Sequence, residues 1–363
     1  MKKIGILTFH RAINYGALLQ CYGLQEKLTE LGADAEVVDY RSSYVENAYR
    51  LLWGLNKKKL NSWKTTLKGV QQVKRKKKLF RRFSANNLKL TEACTRDNIA
   101  KVTGDMDIII TGSDQVWNMD VCGNDHTYML DFVNEKNRKA SYAVSLGGYK
   151  FPEDEIKMLQ NFGSLSIRES KSRDYVADIT GQSVNLDVDP TLLVKADVWK
   201  KVLTDKKPSK PYIFIYSVHP QNRMAEYAVN LAKEKGLEVY HLHNRVKKDI
   251  KEEGINVLFD CSPEEFLTMI YNAEYVVTNS FHGTVFSIIF HKQFLSELET
   301  KGGFNNRVWD LLNELGIERR ILERKIYYEK DFSIDEQINW ETVENNLERL
   351  RAVSETHLQE LLK

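Results

Sequence analysis

The strongest chemical signal in the sequence is a histidine–glycine pair within residues 278–284, which read TNSFHGT. His282 can donate a hydrogen bond to a phosphate or transfer a proton, and Gly283 allows the backbone to approach a ligand closely. The pair lies between a predicted strand and a predicted helix, where the free N–H groups of a helix N-terminus attract anions. The segment is therefore either an anion site or a helix N-cap by Ser280 beside a buried histidine.

Two arginines could supply positive charge to an anionic ligand. Arg168 ends a predicted strand in the segment IRES, and its planar fork suits a carboxylate or a phosphate. Arg307, in the segment NNR, is a candidate second ligand for the same anion. Each also has a plainer interpretation: Arg168 as a surface residue paired with Glu169, and Arg307 as a solvated residue.

A surface suited to sugars follows a buried strand in the segment TGSDQVWN, residues 111–118. The carboxylate of Asp114 and the amides of Gln115 and Asn118 can hydrogen-bond hydroxyl groups. The indole of Trp117 can pack on the apolar face of a pyranose ring. The alternative is the capped start of a helix with Trp117 in the core.

A further polar turn, NYGA, begins with Asn14 and Tyr15 directly after the first predicted strand. It lacks the glycine spacing of a dinucleotide-binding fingerprint or of a P-loop. We expect it either to line an acceptor site or to be an ordinary strand-to-helix turn.

The elements that must position these residues alternate between strands and helices, which predicts parallel sheets and an α/β fold. Strands are expected at 4–9, 35–40, 107–114, 140–145, 165–168, 212–216, 239–242 and 275–278, and helices at 17–31, 224–235, 263–271, 283–290 and 340–362. The polar turns fall where strands end, and ligands of open α/β sheets collect at that edge.

The length of 363 residues predicts two domains of ordinary size. We expect an N-terminal α/β domain at 1–205, a C-terminal α/β domain at 206–330 and a C-terminal helical tail at 331–363. The boundary is placed in a linker that contains Lys206, Lys207, Pro208 and Pro211.

A basic helical insertion is expected at about residues 43–85 of the first domain. Between residues 51 and 83 the sequence has twelve Lys or Arg and no acidic residue, with Trp53, Leu60, Trp63, Leu67 and Val70 at helical spacing. Such a segment either contacts an anionic membrane surface peripherally or is a solvated insertion. Nucleic-acid binding is not expected, because no known nucleic-acid-binding module surrounds the segment.

The composition excludes several classes of protein. Lys and Arg outnumber Asp and Glu by only 53 to 50, so net charge predicts no polyanionic partner. The four cysteines are scattered, which predicts buried thiols in a reducing cytoplasm rather than disulfides or a zinc site. No run of about 18 apolar residues is present, and the N-terminus reads as a strand rather than a signal peptide. We therefore expect a cytoplasmic protein that binds at most peripherally to the inner face of the membrane.

Taken in order, these motifs resemble the polysaccharide pyruvyltransferase family over roughly residues 1–320. The similarity rests on Gly5-Ile6-Leu7-Thr8, Asn14-Tyr15-Gly16-Ala17, Gly112-Ser113-Asp114-Gln115-Val116-Trp117-Asn118, Tyr142-Ala143-Val144-Ser145-Leu146-Gly147, Arg168-Glu169-Ser170, Asp189-Pro190-Thr191-Leu192-Leu193 and Ser280-Phe281-His282-Gly283. The resemblance implies two Rossmann-like domains facing across a cleft, similar to the GT-B glycosyltransferase fold, with the acceptor on the first and the donor on the second. It also implies phosphoenolpyruvate as donor substrate, no metal or other cofactor, and a saccharide acceptor of bacterial surface polysaccharide assembly that is lipid-linked in many systems.

The resemblance also assigns residues. The family's phosphate-binding arginine falls on Arg168 and its histidine on His282, whereas many members carry an arginine where this chain has Ser280. Either Arg307 or Lys301 then replaces that contact, or the donor differs. Donor binding is expected from Arg168, Ser280, His282, Gly283, Thr284 and Arg307, and acceptor binding from Asn14, Tyr15, Gln115, Trp117 and Asn118.

The chemistry expected is protonation of the methylene carbon of phosphoenolpyruvate, addition of a sugar hydroxyl to the adjacent electrophilic carbon, loss of phosphate, and ring closure by a neighbouring hydroxyl. Such a site needs an acid, a base and cations at the phosphate. His282 is the candidate acid and Asp114 the candidate base. Two other hypotheses stay open: a glycosyltransferase of the same fold that uses a nucleotide sugar, and a saccharide-binding relative without catalysis, for which Ser280 is the best argument.

Overall fold

The computed structural model describes residues 1–48, 63–218, 222–243, 253–298, 306–323 and 333–363. They form two compact units, each built on a parallel sheet. The first unit contains the described residues of 1–50 together with 84–194 and 348–363. The second unit contains residues 63–83 and the described residues of 195–347.

The strands and helices of the described residues are numbered along the chain. The strands are β1 Lys3–Leu7, β2 Asp34–Val37, β3 Ile108–Thr111, β4 Lys139–Ser141, β5 Leu165–Ile167, β6 Val184–Leu186, β7 Tyr212–Ser217, β8 Glu238–His243, β9 Asn256–Leu258, β10 Tyr275–Thr278, β11 Gln293–Leu298 and β12 Ile321–Glu323. The helices are α1 Tyr15–Glu30, α2 Ser43–Ala48, α3 Trp63–Asn87, α4 Ile99–Val102, α5 Met119–Cys122, α6 Glu153–Gln160, α7 Ser170–Thr180, α8 Pro190–Leu193, α9 Ala196–Lys200, α10 Asn222–Lys235, α11 Pro263–Asn272, α12 Phe281–Ile289, α13 Asn306–Glu314 and α14 Trp340–Leu361.

The sheet of the first unit has the order β2-β1-β3-β4, and all of its pairs are parallel. The pair β5-β6 continues this sheet, because parallel bridges join Ala140 to Ser164 and Val144 to Ile167. β1 lies between β2 and β3, since the chain passes from β1 to β2 on one side and then crosses to β3 on the other. The carboxyl ends of β1 and β3 are therefore the topological switch point at which such sheets bind ligands.

The sheet of the second unit has the order β12-β11-β10-β7-β8-β9, again fully parallel. The first strand of this unit along the chain is β7, and the order β9-β8-β7-β10-β11-β12 is that of a Rossmann fold. The switch point lies between β7 and β10. The predicted α/β class with two Rossmann-like units is confirmed.

Buried apolar strands and capped helices explain why the chain folds in this way. Residues 4–7 of β1 are all buried, as expected for a strand covered on both faces. The side chain of Asn14 accepts a hydrogen bond from the backbone N–H of Ala17 and caps α1. Ser262 and Glu265 form a capping box at the start of α11, which therefore begins at a defined residue.

The division into units differs from the sequence-based one in three places. The boundary falls between Val194 and Lys195 rather than at residue 205. Residues 63–83 of the basic segment belong to the second unit, not to the first, and Phe80 and Phe83 are buried there. Residues 348–363 of α14 belong to the first unit instead of forming a separate tail, because Arg351 Nε donates to the carbonyl of Leu192 at 2.5 Å. These links are between distant parts of the chain, so no local pattern indicates them.

Three further expectations can be compared with the structure. Cys21, Cys94, Cys122 and Cys261 are buried and form no disulfide, as predicted. None of the helices in the described ranges is long and apolar enough to cross a bilayer. Within the same ranges no three His, Cys, Asp or Glu side chains are grouped to hold a metal ion. Trp53, Leu60, Lys301 and Asn305 lie outside the described residues.

Candidate functional site

In the first unit, the turn after β3 is fixed by side chains from other strands and helices. Ser113 Oγ donates to the carbonyl of Ala143 at 2.7 Å, and its backbone N–H donates to Gln20 Oε1 at 3.1 Å. Thr8, just after β1, donates through its hydroxyl to the carbonyl of Ser113 at 3.2 Å. These bonds tie the turn to the ends of β1 and β4, so the residues that follow have a defined position at the switch point.

The predicted acceptor residues Asp114, Gln115 and Asn118 lie together on this turn. Asp114 has a left-handed backbone with φ 71°, and one of its carboxylate oxygens accepts from the N–H of Gln115 at 2.9 Å. Asn118 Nδ2 donates to Gln115 Oε1 at 3.1 Å and to the carbonyl of Leu146 at 3.2 Å. Asp114 and Gln115 are half-buried, so they retain polar surface that a hydroxyl group could reach.

Arg168 lies at the carboxyl end of β5, where it is enclosed by carboxylates. Its side chain is only 4% exposed, forms an ion pair with Asp189, and places Nε 3.7 Å from Glu169 Oε1. Burial acts to lower the pKa of this guanidinium, but the charges of Asp189, Glu169 and Asp114 raise it above its ordinary value. One cation therefore stands among three carboxylates, and the cluster carries excess negative charge.

Glu169 and Ser145 were missed as site residues by sequence reasoning. Ser145 follows β4, and its hydroxyl donates to Glu169 Oε1 at 2.5 Å. Both side chains are buried. The signal in the sequence was present, since Ser145 ends one predicted strand and Glu169 follows another, but only the order of β3, β4 and β5 in the sheet shows that they adjoin Arg168.

Two of the predicted acceptor residues are not available to a ligand. Trp117 is fully buried, its indole N–H donates to the carbonyl of Tyr128 at 3.1 Å, and its ring packs edge-on to Phe162. The sugar-stacking role predicted for Trp117 is therefore wrong, and the alternative of a core position describes it. Tyr15 is likewise fully buried in the first turn of α1, behind the cap made by Asn14.

In the second unit, the turn from β10 into α12 lies at the switch point. Thr278 Oγ1 donates to the carbonyl of Tyr216 at 2.8 Å and accepts from the N–H of Ser280 at 3.1 Å. Ser280 Oγ accepts from the N–H of Gly283 at 3.3 Å and caps the helix. A Cβ at Gly283 would lie 2.3 Å from Thr278 Oγ1, so this position requires glycine.

The charged and aromatic groups around this helix start are His282, Phe281 and Arg307. His282 occupies the first turn of α12, is mostly buried, and packs edge-on to Phe281 with the ring centroids 5.2 Å apart. The Arg307 guanidinium lies over the ring of Phe281 at 5.3 Å. A histidine, a cation and a helix N-terminus therefore occur together, as an anionic ligand requires.

Thr284 does not face this group. It is fully buried, and its hydroxyl lies 3.1 Å from the carbonyl of Ser280 and 2.5 Å from Ser296 Oγ on β11. Thr284 was expected to bind the donor substrate, but its hydroxyl instead forms a hydrogen bond that links α12 to β11.

Sequence reasoning also missed the neighbouring ends of β7 and β8. Ser217 Oγ lies 2.8 Å from His241 Nε2, and the rings of His241 and His243 are 3.8 Å apart. Asn279 Oδ1 accepts from the N–H of Val218 at 2.8 Å and joins the end of β7 to the turn after β10. The available signal was the His-x-His spacing at the end of a predicted strand.

Comparison with known proteins identifies the family. The family model described as polysaccharide pyruvyl transferase matches residues 14–296, which is more than half of the chain and covers the turns of both units. The chain belongs to this family. The predicted resemblance is therefore confirmed. The family is one of transferases. No curated protein sequence matches it with significance.

Solved structures with similar architecture include sugar-nucleotide enzymes. The S. aureus MnaA–UDP structure has 12% identity and a TM-score of 0.48, with 98% of this chain and 91% of that chain covered. The Neisseria meningitidis UDP-GlcNAc 2-epimerase bound to UDP-GlcNAc has 9% identity and a TM-score of 0.49, with 97% and 99% covered. The glycosyltransferase SnogD from Streptomyces nogalater has 11% identity and a TM-score of 0.42, with 100% and 99% covered.

The structure thus groups the candidate residues by unit. Asp114, Gln115, Asn118 and Arg168 share the carboxyl edge of the first sheet, whereas Ser280, His282, Gly283 and Arg307 share that of the second. The first group has an excess of carboxylates and amides. The second group has one guanidinium, one imidazole and the backbone N–H groups of a helix N-terminus.

Proposed function

We propose that this family member transfers pyruvate from phosphoenolpyruvate to two hydroxyl groups of a saccharide, as a cyclic ketal, in the assembly of a bacterial surface polysaccharide. The observation that carries the proposal is the arrangement at the β7–β10 switch point, where His282 occupies the first turn of α12 and Arg307 lies against the neighbouring Phe281. A trianionic donor needs such a combination of cation and helix N-terminus.

The donor is proposed to bind in the second unit. Arg307 and the N-terminus of α12 would hold the phosphate, and His282 would give a proton to the methylene carbon. The Ser280 hydroxyl is neutral and already caps Gly283 N–H, so Arg307 would replace the arginine that many members carry at this position. No metal or separate cofactor is part of the proposal.

The acceptor is proposed to bind in the first unit. Asp114 is half-buried and would accept a proton from the attacking hydroxyl, while the half-buried Gln115 would orient the sugar through its amide. Asn118 is buried and donates to Gln115 Oε1, so it would position Gln115 rather than contact the sugar. The carboxylates around Arg168 already neutralise its charge, which favours a role in fixing Asp114 over direct contact with phosphate. Hydroxyl-rich ligands suit this cluster better than anions do.

The proposed reaction balances as follows. A proton adds to the methylene carbon of phosphoenolpyruvate, and the first sugar hydroxyl forms a bond to the adjacent carbon. The C–O bond to phosphate then breaks, and the second hydroxyl closes the ring. In the net reaction, the two hydroxyl protons replace the proton that the new methyl group gained and protonate the released phosphate.

The experiment is phosphate release from phosphoenolpyruvate with acceptors that end in galactose, mannose or glucosamine. We expect release that depends on the acceptor and falls on the order of a hundredfold or more in His282→Ala. His291→Ala is the matched control, because His291 is exposed and bonded to Glu344 away from this site. Its rate should stay near that of the wild type.

The other outcomes separate the competing hypotheses. Absence of phosphate release, together with stabilisation by a nucleotide sugar in a thermal-shift assay, would replace the proposal with a glycosyltransferase. Binding of a saccharide without turnover of either donor would identify a non-catalytic relative.

A further inference from the structure

Helix α3 carries an unusual concentration of positive charge. Its 25 residues include nine Lys or Arg and no Asp or Glu. By contrast, α14, of 22 residues, mixes five glutamates with two arginines. Long exposed helices are ordinarily stabilised by such mixed charges, so the uniform sign of α3 requires another reason.

The exposed cations of α3 lie on one face. Five are exposed in its second half, namely Lys74, Arg75, Lys78, Arg81 and Arg82. Relative to Lys74 they occur at spacings of one, four, seven and eight residues, which fall within about a third of the helix circumference. We call these five residues the basic stripe.

The opposite face of the helix is fixed in the second unit. Lys76, Phe80 and Phe83 are each no more than 4% exposed. Because this face is buried, the opposite face of the helix, which carries the basic stripe, is held at the surface of the unit.

Few acids neutralise the basic stripe. Arg75 lies 3.2 Å from Asp260 and remains 62% exposed. No ion pair with a described residue is formed by Lys74, Lys78, Arg81 or Arg82. Unscreened like charges at neighbouring positions repel each other, and an external anionic surface would relieve that repulsion.

We propose that the basic stripe docks this protein on the anionic surface of a lipid bilayer. The five charges lie within about 12 Å along one side of the helix, so they can meet a plane of lipid headgroups together. Exposed aromatic residues, on which nucleic-acid bases would stack, are lacking among residues 71–87. Clusters of four to eight Lys or Arg attract anionic lipids by charge alone. This inference does not depend on the proposed reaction.

The experiment is co-sedimentation of the full chain with vesicles that contain about 30% phosphatidylserine, compared with pure phosphatidylcholine vesicles. We expect at least tenfold stronger partitioning onto the anionic vesicles at about 50 mM salt, and most of it lost at about 300 mM. The stripe variant combines Lys74→Glu, Lys78→Glu, Arg81→Glu and Arg82→Glu, and should bind at least tenfold more weakly than the wild type.

A matched control changes the net charge equally at exposed lysines of other elements, with Lys101→Glu, Lys171→Glu, Lys201→Glu and Lys233→Glu. It should retain binding within about twofold of the wild type if the stripe, and not total charge, is responsible. Circular dichroism checks that both variants fold, and glutamine at the four stripe positions replaces glutamate if they do not.

Three results would overturn the proposal. The first is equal vesicle binding by the stripe variant and the wild type, and the second is no vesicle binding by the wild type. The third is tighter, stripe-dependent binding to a fluorescent single-stranded RNA than to the vesicles at the same salt, which would make the basic stripe a nucleic-acid surface.

Discussion

His357 Nδ1 lies 2.6 Å from Asp187 Oδ2, although the two residues are 170 positions apart in the sequence. His357 Nε2 lies 2.8 Å from Ser164 Oγ, and the Asp187 carboxylate also accepts from the hydroxyl of Ser166. In the tautomer that fits, Nδ1 carries the proton and donates to Asp187, and Nε2 accepts a hydrogen bond from the Ser164 hydroxyl. This buried chain of bonds attaches the end of α14 to the sheet of the first unit.

Replacing His357 by Ala should destabilise the first unit by roughly 2–4 kcal/mol, because a buried carboxylate loses a charge-assisted partner. The measurement is urea unfolding monitored by circular dichroism. Asp187→Asn in the same background should cost less than it does alone, because the two residues act on one bond. Additive losses would mean that the pair is not coupled.

Gly283→Ala should destabilise the second unit by about 1–3 kcal/mol, since its Cβ would lie 2.3 Å from Thr278 Oγ1. Gly104→Ala is the control, because its Cβ would come no closer than 3.4 Å to any atom. Thermal melting of both variants measures the difference. Adding Thr278→Ala to Gly283→Ala should recover part of the loss, and failure to do so would place the strain elsewhere.

Three substitutions at Ser280 separate capping from donor binding. Ser280→Ala should lower stability by about 1 kcal/mol, whereas Ser280→Asn and Ser280→Asp keep a cap for Gly283 N–H and should stay near the wild type. Only Ser280→Asp adds a negative charge, so it alone should raise the KM for phosphoenolpyruvate, on the order of tenfold. Equal KM values for the Asn and Asp variants would argue against an anion at this position.

Lys76→Met should stabilise the second unit at neutral pH. Burial lowers the pKa of Lys76 to about 8, against the opposing effects of Cys261 and Asp260. The unfolded lysine keeps its proton up to about pH 10.5, so below pH 8 folding must bury a charge, at a cost of about 3 kcal/mol. Wild-type stability should therefore rise between pH 8 and 10.5.

Urea unfolding at about pH 7 and pH 10 measures this difference between Lys76→Met and the wild type. The gap should be largest at the lower pH and shrink at the higher one. Lys77→Met, at a half-buried neighbouring position, is the control and should show little change with pH. If the difference in the free energy of unfolding between Lys76→Met and the wild type grew with pH, the pKa of Lys76 would not be lowered by folding.

Local sequence patterns predicted several elements closely. β10 has the predicted bounds at Tyr275–Thr278, and α11 differs from its prediction by one residue at its end. The short strands β6, β9 and β12 were not predicted. β11 was missed because the buried Ser296 and Glu297 interrupt its apolar pattern.

The sequence by itself determined the α/β class, the turns that carry polar residues and the family, since each depends on residues close together in the chain. Only the tertiary structure decided that Trp117 lies in the core and that Arg168 is surrounded by Asp114, Glu169 and Asp189. The physical reason is that backbone propensity and capping act over a few residues, whereas burial and charge pairing depend on the order of strands in a sheet.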